Sequence, residues 1–126
     1  MDNNLIIKKC SKCNSMIEVV TPCNCKNCAH MCCGEPMQTL HANNKEFSFE
    51  KHMPEYEVIG NKITVKVNHV MEEKHFIEWI AIKNKNGKQV VFLDHTKTPE
   101  VVFDYEKDSI IYSYCNLHGL WSVEVK

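Results

Sequence analysis

Cys115-Asn116-Leu117-His118-Gly119 stands directly behind the apolar run Ile110-Ile111-Tyr112-Ser113-Tyr114, so a thiol and an imidazole share one tight turn leaving a strand. Upstream, Glu50-Lys51-His52-Met53-Pro54 and the run from His69 to His75 add three more imidazoles. Four histidines and one cysteine are thereby available to a single soft, redox-capable metal. Five donors on an octahedral ion leave one position open, which is what inner-sphere redox chemistry requires. Taken alone, the Cys-x-x-His pair equally describes a buried cysteine beside a surface histidine, and Glu72-Glu73-Lys74 reads as a solvated face. Zinc also accepts cysteine and histidine, but structural zinc closes with four ligands and has no use for a fifth. His30, His41 and His95 match no such pattern and read as surface residues.

A second constellation lies at the other end of the chain. Cys10-x-x-Cys13 and Cys32-Cys33 make a four-thiolate set, and tetrahedral sulfur coordination selects iron or zinc. Between them Cys23, Cys25 and Cys28 add three further thiols at compact spacing. Two readings stand side by side: a loop with spare cysteines, or an iron-sulfur cluster that recruits a fourth ligand from Cys10, Cys13, Cys32 or Cys33. A disulfide scaffold is the plain alternative to any metal, although adjacent Cys32 and Cys33 make an awkward pair for one.

The elements that must hold these residues are short strands. Ile63, Val65 and Val67 alternate with Thr64 and Lys66, the period-two mark of a half-buried strand. Similar runs are expected over 76–82, 89–93, 101–105, 110–114 and 120–125. Asn86-Gly87 is the strongest short hairpin signal, Thr98-Pro99 breaks before the fourth run, and Lys107-Asp108 separates the fourth from the fifth. Closely spaced strands without helical periodicity predict a mainly β chain containing an antiparallel β-sandwich. Seven of the eight cysteines precede residue 34, so the first thirty-odd residues lack a core of their own and need cross-links or metal. We expect a Cys-rich metal-binding domain over residues 1–38, a polar linker over 39–45 and the sandwich over 46–126.

Composition narrows the function further. The 126 residues carry fifteen lysines, no arginine and a net charge of −1, without the basic surplus and bidentate arginines of a nucleic-acid binder. No stretch approaches the roughly 18 consecutive apolar residues of a membrane helix, and Met1-Asp2-Asn3-Asn4 lacks a basic secretory n-region, so a cytoplasmic protein is expected. In a reducing compartment clustered cysteines bind metal more readily than they pair.

At this point the motifs resemble those of a known family. Glu50-Lys51-His52-Met53-Pro54, the run from His69 to Ile80 and Tyr114-Cys115-Asn116-Leu117-His118-Gly119 are similar to the active-site signature of superoxide reductases of the desulfoferrodoxin and neelaredoxin group. Cys10-x-x-Cys13 and Cys32-Cys33-Gly34-Glu35-Pro36-Met37 resemble the desulforedoxin domain that precedes the catalytic domain in desulfoferrodoxins. Thr21 to Met31 diverges from that pattern, and Val70 stands where the family usually has proline. The resemblance implies an immunoglobulin-like seven-stranded sandwich with iron among the loops at one end. It implies His52, His69, His75 and His118 as equatorial ligands, Cys115 as the axial thiolate, Lys51 as the cation that attracts superoxide, and Glu50 as the carboxylate that occupies the sixth position after peroxide leaves. Also implied are a second, rubredoxin-like iron on the four N-terminal cysteines, an external donor such as rubredoxin, and a homodimer. The expected activity is one-electron reduction of superoxide to hydrogen peroxide. Rival readings are an iron electron carrier without substrate turnover, a zinc-loaded structural protein, and superoxide dismutation.

Overall fold

The computed structural model describes residues 4–43 and 53–126; Glu50, Lys51 and His52 lie outside the described residues. The chain divides into two compact units, Leu5–His41 and a larger one holding Asn4 and the described residues from Ala42 on.

In the small unit, β1 (Ile7–Lys9) pairs antiparallel with β2 (Met16–Glu18) on one side, while β3 (Met31–Cys32) and β4 (Glu35–Pro36) form a separate hairpin. The other side of β1 takes β5 (Gln38–Thr39). Strands this short hold no stable sheet by themselves. Leu5, Ile7, Cys10 and Met37 are the buried apolar residues of this unit, too few for a core that folds unaided. Pairing also involves two residues of the expected linker. Thr39 lies in β5, and Asn43 bridges to Trp121, its N–H donating to the Leu120 carbonyl at 2.9 Å.

The larger unit is an immunoglobulin-like sandwich of two antiparallel sheets. β6 (Glu55–Ile59), β7 (Lys62–Lys66) and β10 (Glu100–Asp104) form one, in the order β10-β7-β6. β8 (Ile77–Asn84), β9 (Gly87–Phe92), β11 (Ile110–Cys115) and β12 (Gly119–Glu124) form the other, in the order β12-β11-β8-β9. The alternation read in β7 becomes a buried face of Ile63, Val65 and, just beyond the strand, Val67. These pack with Phe103, Ile77, Ile80, Ile82, Ile111 and Cys115 as one hydrophobic core. A candidate ligand is therefore part of the core itself.

Two details differ from expectation. β6 was not anticipated: its only partly buried residue is Tyr56, so the strand carries little apolar signal. The β8–β9 hairpin turns on Lys85-Asn86, with Asn84 paired to Gly87 and the Asn84 Oδ1 accepting the Asn86 N–H at 2.8 Å. Neither turn residue has positive φ, so Gly87 serves as the first residue of β9 and not as the left-handed corner that Asn-Gly favours.

Candidate metal centres

Cys115 ends β11, and a register shift aims it. Up to Tyr114 the strand pairs with β8 residue by residue, Tyr114 opposite Trp79, but Cys115 lies opposite Ile77. Strict alternation from Ile82 and Ile80 would turn Glu78 into the core beside Cys115. The bulge inserts one residue and presents Ile77 there instead, so the sulfur leaves the sheet from an apolar wall. Behind it, Trp79 and Tyr114 stack at 5.7 Å with planes 10° apart and stiffen both strands. The chain then reverses through Asn116, Leu117 and His118, and Gly119 accepts the positive φ of 96° that closes this three-residue loop onto β12.

The loop returns His118 to the cysteine, its Nδ1 3.6 Å from the Cys115 Sγ. His69 arrives from the chain beyond β7 with its Nε2 also 3.6 Å from that sulfur. The His69 Nδ1 lies 2.6 Å from the Val70 carbonyl, and since a carbonyl only accepts, Nδ1 carries the proton and Nε2 is left as the metal-binding nitrogen. Val70 thus supplies a tautomer-fixing backbone carbonyl. His75 closes a tight turn against Glu72, and its ring stands edge-on to His69 at 4.6 Å and to His118 at 4.9 Å. The candidate ligand atoms of His69, His75, Cys115 and His118 all lie within 4.8 Å of one another. Neighbouring ligands on one ion, with bonds of roughly 2.1 to 2.3 Å, sit about 3 Å apart, so this donor set fits a single metal. His52, the expected fourth imidazole, and its neighbours Glu50 and Lys51 lie outside the described residues.

Asn116 was missed in the sequence and ties the two ligand loops together. Its Oδ1 accepts the Phe76 N–H at 3.0 Å and its Nδ2 donates to the Lys74 carbonyl at 3.0 Å. A backbone bond from the Asn116 N–H to the Phe76 carbonyl, at 3.2 Å, completes the clamp. One side chain therefore fixes the turn bearing Cys115 and His118 against the loop bearing His75. Its partners are forty and forty-two positions away, beyond the reach of local pattern.

In the small unit, Cys10, Cys13, Cys32 and Cys33 bring their sulfurs within 4.8 Å of one another. The Cys13 and Cys32 sulfurs are 3.6 Å apart. A tetrahedron with metal–sulfur bonds of about 2.3 Å has edges near 3.8 Å, so the set fits a mononuclear S4 ion. Two turns place these residues. After Cys10 the chain folds back so that the Asn14 N–H donates to the Cys10 carbonyl at 3.1 Å, and the backbone N–H groups of Cys13 and Lys12 pull the Cys10 thiol down to about 6. At the β3–β4 corner Cys33 and Gly34 both have positive φ, 52° and 79°, the pair of left-handed residues that a type I′ turn needs. Cys32, hydrogen-bonded by Cys10 and Cys13, is pushed up to about 12, the mark of thiols crowded too closely to ionise together without a cation.

Cys23, Cys25 and Cys28 form a third group, also within 4.8 Å of one another and all exposed. It shares no member with the four-cysteine set. Among the residues expected at the surface, His41 and His95 are exposed, while His30 is half-buried.

The fold and the site define a class, an antiparallel sandwich with a thiolate–imidazole metal centre at the end of one sheet. Residues 43–124 match the family model described as Desulfoferrodoxin. The chain is 38% identical to a desulfoferrodoxin of Nitratidesulfovibrio vulgaris, over 98% of this chain and 99% of that one. It is 35% identical to a superoxide reductase of Thermococcus kodakarensis, over 60% of this chain and 86% of the relative. Among solved structures, the superoxide reductase from Treponema pallidum superimposes with a TM-score of 0.77 at 27% identity, covering 97% of this chain and 99% of that one. The chain belongs to the desulfoferrodoxin family. No helix among the described residues is long and apolar enough to cross a membrane.

Proposed function

We propose that this chain is a superoxide reductase, converting superoxide to hydrogen peroxide with one electron from an external donor and two protons from water. The observation that supports it most is the buried Cys115 sulfur with imidazole nitrogens of His69 and His118 each at 3.6 Å and His75 beside them. An iron held by these residues together with His52 supplies the single electron when bound. Cys115 would hold the metal through a thiolate that donates charge to it, and the apolar wall around it shields the sulfur from water and competing protons. His69, fixed through Val70, keeps its ring in one tautomer throughout the cycle. Lys51 would attract the superoxide anion and hold the water that delivers a proton, and Glu50 would offer a carboxylate to the metal.

The four N-terminal cysteines hold a second iron that relays an electron or staples the small unit. Their separation from Cys23, Cys25 and Cys28 favours this mononuclear reading over a shared iron-sulfur cluster. A rubredoxin-like protein is the proposed donor, a homodimer the proposed assembly and the cytoplasm the proposed compartment, with the domain division 1–38, 39–45 and 46–126. Pulse radiolysis of the reduced, iron-loaded protein tests the activity. One peroxide formed per superoxide consumed, without oxygen, is the expected result. Oxygen evolution would establish dismutation instead, and unaccelerated superoxide decay would leave an electron carrier.

A further inference from the structure

We propose that Cys23, Cys25 and Cys28 form a separate three-thiolate site for copper(I). The segment lies between β2 and β3, and the Lys26-Asn27 turn brings Cys25 and Cys28 to one side of the loop. Cys23 joins them, its Sγ 4.0 Å from the Cys25 carbonyl, and all three sulfurs lie within 4.8 Å of one another. The neighbouring set of Cys10, Cys13, Cys32 and Cys33 is complete with four sulfurs of its own, so it needs nothing from this loop.

The donor chemistry selects the ion. No aspartate or glutamate occurs between Glu18 and Glu35, so the loop lacks the anionic carboxylates on which magnesium and calcium sites are built. His30 is not a member of the group, which leaves sulfur as the sole donor type. Zinc and iron close sulfur sites with four ligands, whereas copper(I), the softest of the common ions, is satisfied by three thiolates in a trigonal plane. Three thiolates around a monovalent ion leave a net negative charge, and Lys26 in the turn offsets part of it. Because all three cysteines are exposed, an ion held there can be taken from and returned to thiol carriers by direct ligand exchange. This site is independent of the proposed superoxide chemistry.

The test is an anaerobic copper(I) titration of the full-length, iron-loaded protein against a chromophoric copper(I) chelator, run beside the variant Cys23→Ser/Cys25→Ser/Cys28→Ser. The wild type should withdraw one more copper(I) per chain than the variant, with iron content unchanged in both and X-ray absorption showing three sulfur neighbours per copper. Should the triple variant fail to fold, Cys25→Ser alone serves, and it should surrender its copper at a chelator concentration that the wild type withstands. Equal copper uptake by wild type and variant would overturn the proposal, as would uptake matched by loss of iron from the four-cysteine site. Acid-labile sulfide in the wild type that disappears in the triple variant would overturn it in favour of an iron-sulfur cluster.

Discussion

The two metal-binding regions invert each other's logic. In the sandwich, a packed core comes first and the ligands are fitted to it: Cys115 is fully buried among Ile77, Val67 and Ile111, and a bulge in the sheet sets its direction. The small unit has strands of two or three residues and four buried apolar side chains, one of them Cys10 itself. There the cysteines are most of what can hold the chain together. On the proposed reading, the difference teaches that a metal can serve as a reagent at a prebuilt site in one unit and be needed to hold the chain together in the other. Removing the ion should therefore have opposite consequences in the two places.

The sharpest way to break that contrast is metal removal followed by hydrogen exchange. Chelation should abolish amide protection in β1, β2 and β5 while β8 and β11 stay protected, because zinc- or iron-stapled units of this size draw their folding energy from the ion. Retained protection in the small unit would show that it folds by packing. A core truncation should do the reverse. Ile111→Ala removes a fully buried side chain and should lower stability of the sandwich by about 2–5 kcal/mol in denaturant unfolding, with the visible spectrum of the four-cysteine iron unaltered.

Smaller effects sharpen the functional half of the comparison. Only the sandwich centre must admit an anion, so Lys51→Ala should slow the second-order reaction with superoxide by roughly tenfold to a hundredfold and flatten its ionic-strength dependence. Glu50→Ala should leave that encounter nearly intact and change the spectrum of the oxidised state; the opposite assignment in pulse radiolysis would refute this division. Asn116→Ala removes both side-chain hydrogen bonds of the clamp and should lower stability by about 1–3 kcal/mol. It should also broaden the spectrum of the catalytic iron, since the loop bearing His75 would no longer be fixed to the turn bearing His118.

How much of this was legible depended on whether the signal was local. The alternation in β7 and the apolar run of β11 announced their strands because each buries a face against the core. β6 gave no such signal, since Glu55, Glu57, Val58 and Ile59 are all exposed and only Tyr56 is partly covered. The strands of the small unit are shorter than any periodicity can register. The candidate ligands stood out by type: His69, His75, Cys115 and His118 converge, as do the four N-terminal cysteines. The devices that aim them were silent. The bulge at β8 is a matter of register between strands, and Asn116 looks like an ordinary turn residue until Phe76 and Lys74 arrive beside it.

Cys115 is proposed here as the thiolate that holds a superoxide-reducing iron, in a sandwich that does not need that sulfur for folding. Cys115→Ser in the iron-loaded protein, measured by visible spectroscopy and superoxide kinetics together with β8 and β11 amide protection, tests it most directly. The variant should lose the sulfur-to-iron charge-transfer band and most of the activity, with amide protection largely kept. An unchanged spectrum and unchanged turnover would contradict it.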